Sequence, residues 1–303
     1  MKNTLIALVI IAIIVFGVYL FIKSPSRSGE VPQDATTDIA ETQSGDRTEE
    51  ATIADKEKTI IGKSIAGRDI TAYHYGTGTA EILFVGGIHG GYSWNTALVA
   101  YEAMDYLKAN PNIIPENVKA TVIPVLNPDG LQKVVGTSTV KFAQADVSSS
   151  QEVQIFGRFN ANDVDLNRNF DCDWQKDGKW QSKTVSGGSE AFSEPESQAV
   201  KNYIETRNPK AVVVWYSAAG GVFASSCHNG VLPETLTLTN VYAKASGYPA
   251  YEDFNFYEIT GDMVNWLAKK KIPAISVLLT NHTGIEWTKN QAGIKAILEY
   301  YAK

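Results

Sequence analysis

Four histidines, His74, His89, His228 and His282, bound the imidazole chemistry open to this 303-residue chain. His89 stands where such chemistry is often found. It follows the apolar run Glu81–Ile88 (EILFVGGI), which predicts a buried strand. Val118–Leu126 likewise runs into Asn127-Pro128-Asp129-Gly130, and Ala211–Ser217 (AVVVWYS) into Ala218-Ala219-Gly220. An α/β sheet keeps its ligand site just past the carboxyl ends of its strands. Between these segments lies Asp165–Phe170 (DLNRNF), with Asn167 and Arg168, and Arg158 shortly upstream. A guanidinium holds a carboxylate through two parallel hydrogen bonds. Rival chemistries are weaker. Ser217 lacks the G-x-S-x-G turn of a hydrolase nucleophile. Gly86-Gly87 and Gly90-Gly91 lack the G-K-[ST] ending of a phosphate loop. Cys172 and Cys227 have one neighbouring histidine and no close-spaced cysteine pair, a weak pattern for a metal.

Those turns need a sheet to hold them. Short β-rich runs alternate with helical patterns, which predicts an α/β fold. Beside the three strands above, Pro273–Leu279 (PAISVLL) predicts a fourth. Trp94–Lys108 has helical spacing, and Gln291–Tyr301 predicts a closing helix. A further helix is predicted between Phe192 and Arg207. There Ser193 could cap and Glu196 close a capping box around Pro195.

The amino-terminal region is different material. Thr4–Ile22 is apolar and uncharged, and as a helix it spans roughly 28 Å. Residues 1–23 are therefore expected to form a membrane anchor rather than a cleaved signal peptide, since no small-x-small site follows. Residues 24–58 hold four basic and nine acidic residues and almost no large apolar ones, which predicts a flexible acidic linker. The remainder, 59–303, is expected to fold as one domain outside the cytoplasm. The whole chain carries 27 basic and 33 acidic residues, a net −6, so a nucleic-acid partner is not expected.

In order, the motifs resemble those of the zinc metallocarboxypeptidases, the carboxypeptidase A-like exopeptidases and their bacterial cell-wall relatives. Gly62–Ile70 looks like the family's opening G-x-S-x-x-G-R segment. Then come His89, NPDG at Asn127–Gly130, DLNRNF, SEPES at Ser193–Ser197, and Tyr257-x-x-Thr260-Gly261 leading to Asn265-Trp266. The resemblance covers 59–303. It implies a mixed, twisted central sheet flanked by helices, with a cleft at the strand ends. It also implies zinc on two His and one Glu, with a second Glu as general base. Asn167 and Arg168 match the pair that holds a substrate's terminal carboxylate. Arg158 matches the oxyanion-stabilising arginine, and Tyr257 the mobile tyrosine. Val264 falls where side-chain preference is set. Asp262, two residues earlier, would either favour a cationic substrate end or serve as a helix N-terminal charge. Cys172 and Cys227 should border the same cleft, as a disulfide if the domain is extracytoplasmic or as two thiols.

The metal centre departs from the pattern. His89 matches the first ligand. The Glu position holds Tyr92, or Ser93 if the turn is one residue longer. The second His position holds Tyr216, and the general-base position holds Leu278. A substitute set of His89, His282 and Glu286 is conceivable, although ordinary loop hydrogen bonding accounts better for His282 and Glu286. Two functions follow as expectations. One is a pseudoenzyme that binds a peptide's free C-terminal carboxylate, including that of cell-wall stem peptides, without cutting it. The other is an active zinc carboxypeptidase with rearranged ligands.

Overall fold

The computed structural model describes residues 57–302. The expected anchor and all but the end of the expected linker lie outside those residues. Among the described residues, no helix is long and apolar enough to cross a membrane.

Among the described residues, ten strands form two sheets. In chain order they are β1 (Lys58–Lys63), β2 (Asp69–Tyr75), β3 (Ala80–Val85), β4 (Val118–Ile123), β5 (Asp177–Trp180), β6 (Lys183–Ser186), β7 (Ala211–Ser217), β8 (Gly221–Ala224), β9 (Ala250–Tyr251) and β10 (Ala274–Leu279). Eight of them make one mixed sheet in the order β1-β2-β4-β3-β7-β10-β8-β9, while β5 and β6 pair as a separate antiparallel ribbon. The centre is parallel: β3 pairs with β4 and β7, and β7 with β10. Antiparallel partners flank it, β2 on β4 and β8 on β10.

The helices are α1 (Trp94–Ala109), α2 (Pro128–Val135), α3 (Gln151–Phe156), α4 (Pro195–Arg207), α5 (Pro233–Ser246), α6 (Met263–Lys269) and α7 (Trp287–Tyr300). The central strands are apolar throughout because both of their faces are covered. Alternation along each strand divides the core in two. Leu83, Val85, Val212 and Val214 pack with Val200 and Ile204 of α4 and Trp266 of α6. Ile82, Phe84, Val213, Trp215 and Val277 pack with residues of α1, α5 and α7. Tyr216 and Leu278 belong to the first face, which is the face of the cleft.

Two expected details change. NPDG is more than a turn: Pro128 opens α2, and the Asn127 side chain accepts from Gly130 N, capping it. The capping box at α4 does not form. Glu194 is the cap residue, without a side-chain cap bond. Ser193 Oγ donates to Glu194, and Glu196 is drawn away to Ile65 N and Asn160 Nδ2. Tertiary partners outcompete the local motif there.

Candidate functional site

A cleft of about 1040 Å3 opens at the carboxyl ends of β3, β7 and β10. Three turns bring its floor together, and Asn95 of α1 pins two of them. Its Nδ2 donates to the carbonyls of Asn281 and Gly284 after β10, and its Oδ1 accepts from Ser217 Oγ at the end of β7. Sequence reasoning missed Asn95, whose full burial only the structure reveals. Asp129 ties the NPDG segment to the Gly62–Ile70 segment. It accepts from Ser64 Oγ at 2.6 Å, from Ala66 N, and from Arg68 Nη1 at 2.8 Å.

His89 follows β3 and reaches the floor. Its Nε2 stands 3.7 Å from Asp165 Oδ1, beyond hydrogen-bond range, and neither ring nitrogen has a partner. Burial, and then the neighbouring Arg158, hold its pKa well below the usual 6.5 despite Asp165. The ring is therefore a neutral imidazole, with one donor and one acceptor facing the cleft.

Asp165 organises the cations. It accepts from Arg158 Nε at 2.8 Å and Nη2 at 2.7 Å, and from Asn167 N. Burial pushes its pKa up, but Arg158 and Arg168 outweigh that, and the carboxylate stays ionised. Arg158 then lies 4.5 Å from the Trp180 ring and 5.6 Å from that of Tyr92. The ribbon β5–β6 sets Arg168. Lys179 O accepts from its Nε and Nη2, and Asn167 O from its Nη1. Gly178 allows this approach, since a Cβ there would meet Arg168 Cδ at 2.9 Å. Three of the five guanidinium hydrogens are engaged, and two remain for a ligand.

Asn167 is a junction. Its Oδ1 accepts from Tyr216 OH and Met263 N, each at 3.2 Å, and its Nδ2 donates to Asp262 at 2.7 Å. Asp262 caps α6 through Asn265 N and takes the Asn167 bond on its other oxygen. Both of its oxygens are thus engaged within the fold, and it also lines the cleft. Tyr257 and Val264 line the cleft, beside an aromatic wall of Phe223, Phe254 and Phe256. The acidic groups on the rim are Asp253 and Glu258, on the exposed loop that carries Tyr257.

The donor set does not fit a zinc ion of the His-Glu-His kind. Tyr92 points into the cleft and packs on Trp180 and His282, whereas Ser93 starts α1 and does not line the cleft. Burial raises the pKa of both Tyr92 and Tyr216, the latter strongly, so both phenols stay protonated and are poor metal ligands. Leu278 lies beside Tyr216 in register on β10 and moves no proton. The substitute set is not assembled. His282 lines the cleft, but Glu286 binds Thr280 N and Oγ1 and Lys289 outside it. Among the described residues, the one group of three metal-type donors is Cys172, Asp173 and Cys227. Its two sulfurs are joined in a disulfide, and His228 pairs with Asp173 at 3.0 Å on the surface. His74 bonds Thr59 and Thr121 on the sheet, away from the cleft.

This sheet order and this cleft define a zinc carboxypeptidase-type fold. The family profile for zinc carboxypeptidases matches residues 52–280, and the chain belongs to that family. Its relatives include gamma-D-glutamyl-L-diamino acid endopeptidase 1 of Lysinibacillus sphaericus, 24% identical over 66% of this chain and 54% of that protein. Murein peptide amidase A of Vibrio campbellii is 32% identical over 42% of this chain and 51% of its own length. The chain thus spans about half the length of these two relatives. Among solved structures, murein-tripeptide amidase MpaA from Escherichia coli O157 superposes with a TM-score of 0.54 at 20% identity, covering 80% of this chain and 90% of the other. Bovine thrombin-activatable fibrinolysis inhibitor, in complex with tick carboxypeptidase inhibitor, gives 0.64 at 15% identity, covering 84% and 92%. At these identities the likeness to solved structures establishes the fold alone.

Proposed function

We propose that this chain is a non-hydrolysing member of its family. It holds peptides by their free C-terminal carboxylate and is tethered to a membrane through residues 4–22, with the domain outside the cytoplasm. The observation that carries this reading is the contrast on the cleft floor. Arg158 and Arg168 are kept and buried, while the positions for zinc and for proton transfer hold Tyr92, Tyr216 and Leu278. Unengaged guanidinium hydrogens and the unpartnered ring nitrogens of His89 supply what a carboxylate and its neighbouring amide require. The names of the two murein-directed relatives support cell-wall stem peptides as the ligand class.

Two measurements on the purified full chain test the reading. After equilibration with zinc and removal of the excess, bound metal should be far below one per chain, and no residue should be released from peptide C-termini. Free-carboxyl peptides should bind, and their C-terminally amidated counterparts should bind at least about tenfold more weakly. One tight zinc per chain with chelator-sensitive release of C-terminal residues would overturn the proposal. His89, His282 and Glu286 would then be the ligands to mutate.

A further inference from the structure

The cleft does not end at Arg158. A second hollow, of about 270 Å3, adjoins it and shares Tyr92, Trp180, Gln181 and His282 with its wall. Gln151, Gln154 and Ile155 of α3 and Lys183 of β6 complete its lining. No carboxylate is among these residues. Its polar groups are three amides, a phenol, an indole, an imidazole and one ammonium.

The two cations that meet at Trp180 differ. Arg158 is neutralised by the buried Asp165. Lys183 Nζ lies 5.3 Å from the Trp180 ring and has no ion-pair partner among the described residues. An unmatched cation in a hollow lined by hydrogen-bond donors and free of acids selects an anionic group. Both cations lie against the Trp180 ring. The gap from Arg158 to Lys183 is no longer than the two ring distances together, so the hollow lies within a few extended residues of the cleft floor.

We infer that the second hollow takes a carboxylate that lies upstream in the ligand. The preferred partner is an acidic peptide with a carboxylate side chain upstream of its free terminus, resting on Trp180 and paired with Lys183. This inference rests on the terminal-carboxylate reading above and extends it.

The test uses the full chain and short free-carboxyl peptides carrying Glu or Gln at one position from the second to the fifth before the end. Amidated copies of each serve as controls, and binding is followed by titration calorimetry. The Glu peptide should bind about tenfold more tightly at one of these positions. Added salt should shrink that ratio, and Lys183→Gln should erase it while leaving the Gln peptide's affinity unchanged. Lys183 is exposed, so the variant keeps its fold. Equal affinities for Glu and Gln peptides would overturn the inference, as would a ratio that survives Lys183→Gln. Loss of the difference between free and amidated termini would instead overturn the terminal-carboxylate reading, whatever the Glu-to-Gln ratio.

Discussion

His89 is surrounded by Arg158, Arg168, Asp165 and His282, and its burial keeps it neutral in the folded chain. Once unfolded, the ring regains its ordinary pKa near 6.5. A group whose folded pKa is depressed gives its full stabilisation above the unfolded pKa and loses it as pH falls. Stability should therefore decline from about pH 6.5 downward, by up to about 1.4 kcal/mol per pH unit for His89. Urea titrations at pH 7.5 and 5.0 should show the decline, with a shallower one in His89→Gln. A slope unchanged by that substitution would refute the argument. Asp165 acts in a separate window. Its depressed pKa means that its support is lost only below the ordinary 3.8. At this scale the sequence was informative about where the chain departs from the family's pattern, because Tyr92, Tyr216 and Leu278 are readable as residue types. It was silent about Asp165 as organiser and Asn95 as pin, whose partners lie far away along the chain.

Among the elements, β7 was legible to its ends because Ala211–Ser217 is an unbroken apolar run. The ribbon β5–β6 was not legible. Its residues, DGKW and KTVS, are mostly polar and pair with each other rather than with the main sheet. Yet this ribbon supplies the carbonyl that orients Arg168 and the ring beneath Arg158. The closing helix starts at Trp287, ahead of the expected Gln291, because Glu286 adopts a left-handed cap and binds back to Thr280. The disulfide between Cys172 and Cys227, 55 residues apart, ties the exit of the Arg168 turn to the loop after β8. By loop-closure entropy it should contribute about 4 kcal/mol. Replacing both cysteines with serine should lower the urea midpoint accordingly, whereas an unchanged midpoint would mean that the bond adds nothing to the fold. Gly261 has φ +62°, and a Cβ there would meet Arg168 O at 2.2 Å. Gly261→Ala should therefore displace the Arg168 turn, seen as loss of peptide binding at a temperature where the far-UV spectrum is still native.

At the level of the whole molecule, the order of motifs along the chain carried the resemblance to the zinc carboxypeptidases, and that resemblance implied the mixed sheet and its cleft. Fold and site carry separate information, so the resemblance holds although Tyr92, Tyr216 and Leu278 depart from the family's pattern. A scaffold still holding Arg158, Arg168 and His89 should accept the missing donors. The double variant Tyr92→Glu with Tyr216→His should bind close to one zinc per chain, while the natural chain binds almost none. Equal metal content in the two would show that the strand ends have moved apart, beyond what side chains can repair.

Leu278 and Tyr216 sit side by side in register, and Tyr216 bonds Asn167. A lone glutamate at 278 would bury a carboxylate beside the Tyr216 phenol, on a floor whose arginines are already engaged, Arg158 by Asp165 and Arg168 by Lys179 O. A lone histidine at 216 would vacate the Asn167 bond without completing a ligand set. Each single step toward the family's His-Glu-His pattern thus carries a loss before any gain. Epistasis of this kind makes the order of substitutions matter, because changes on β7 and β10 are useful only when they arrive together.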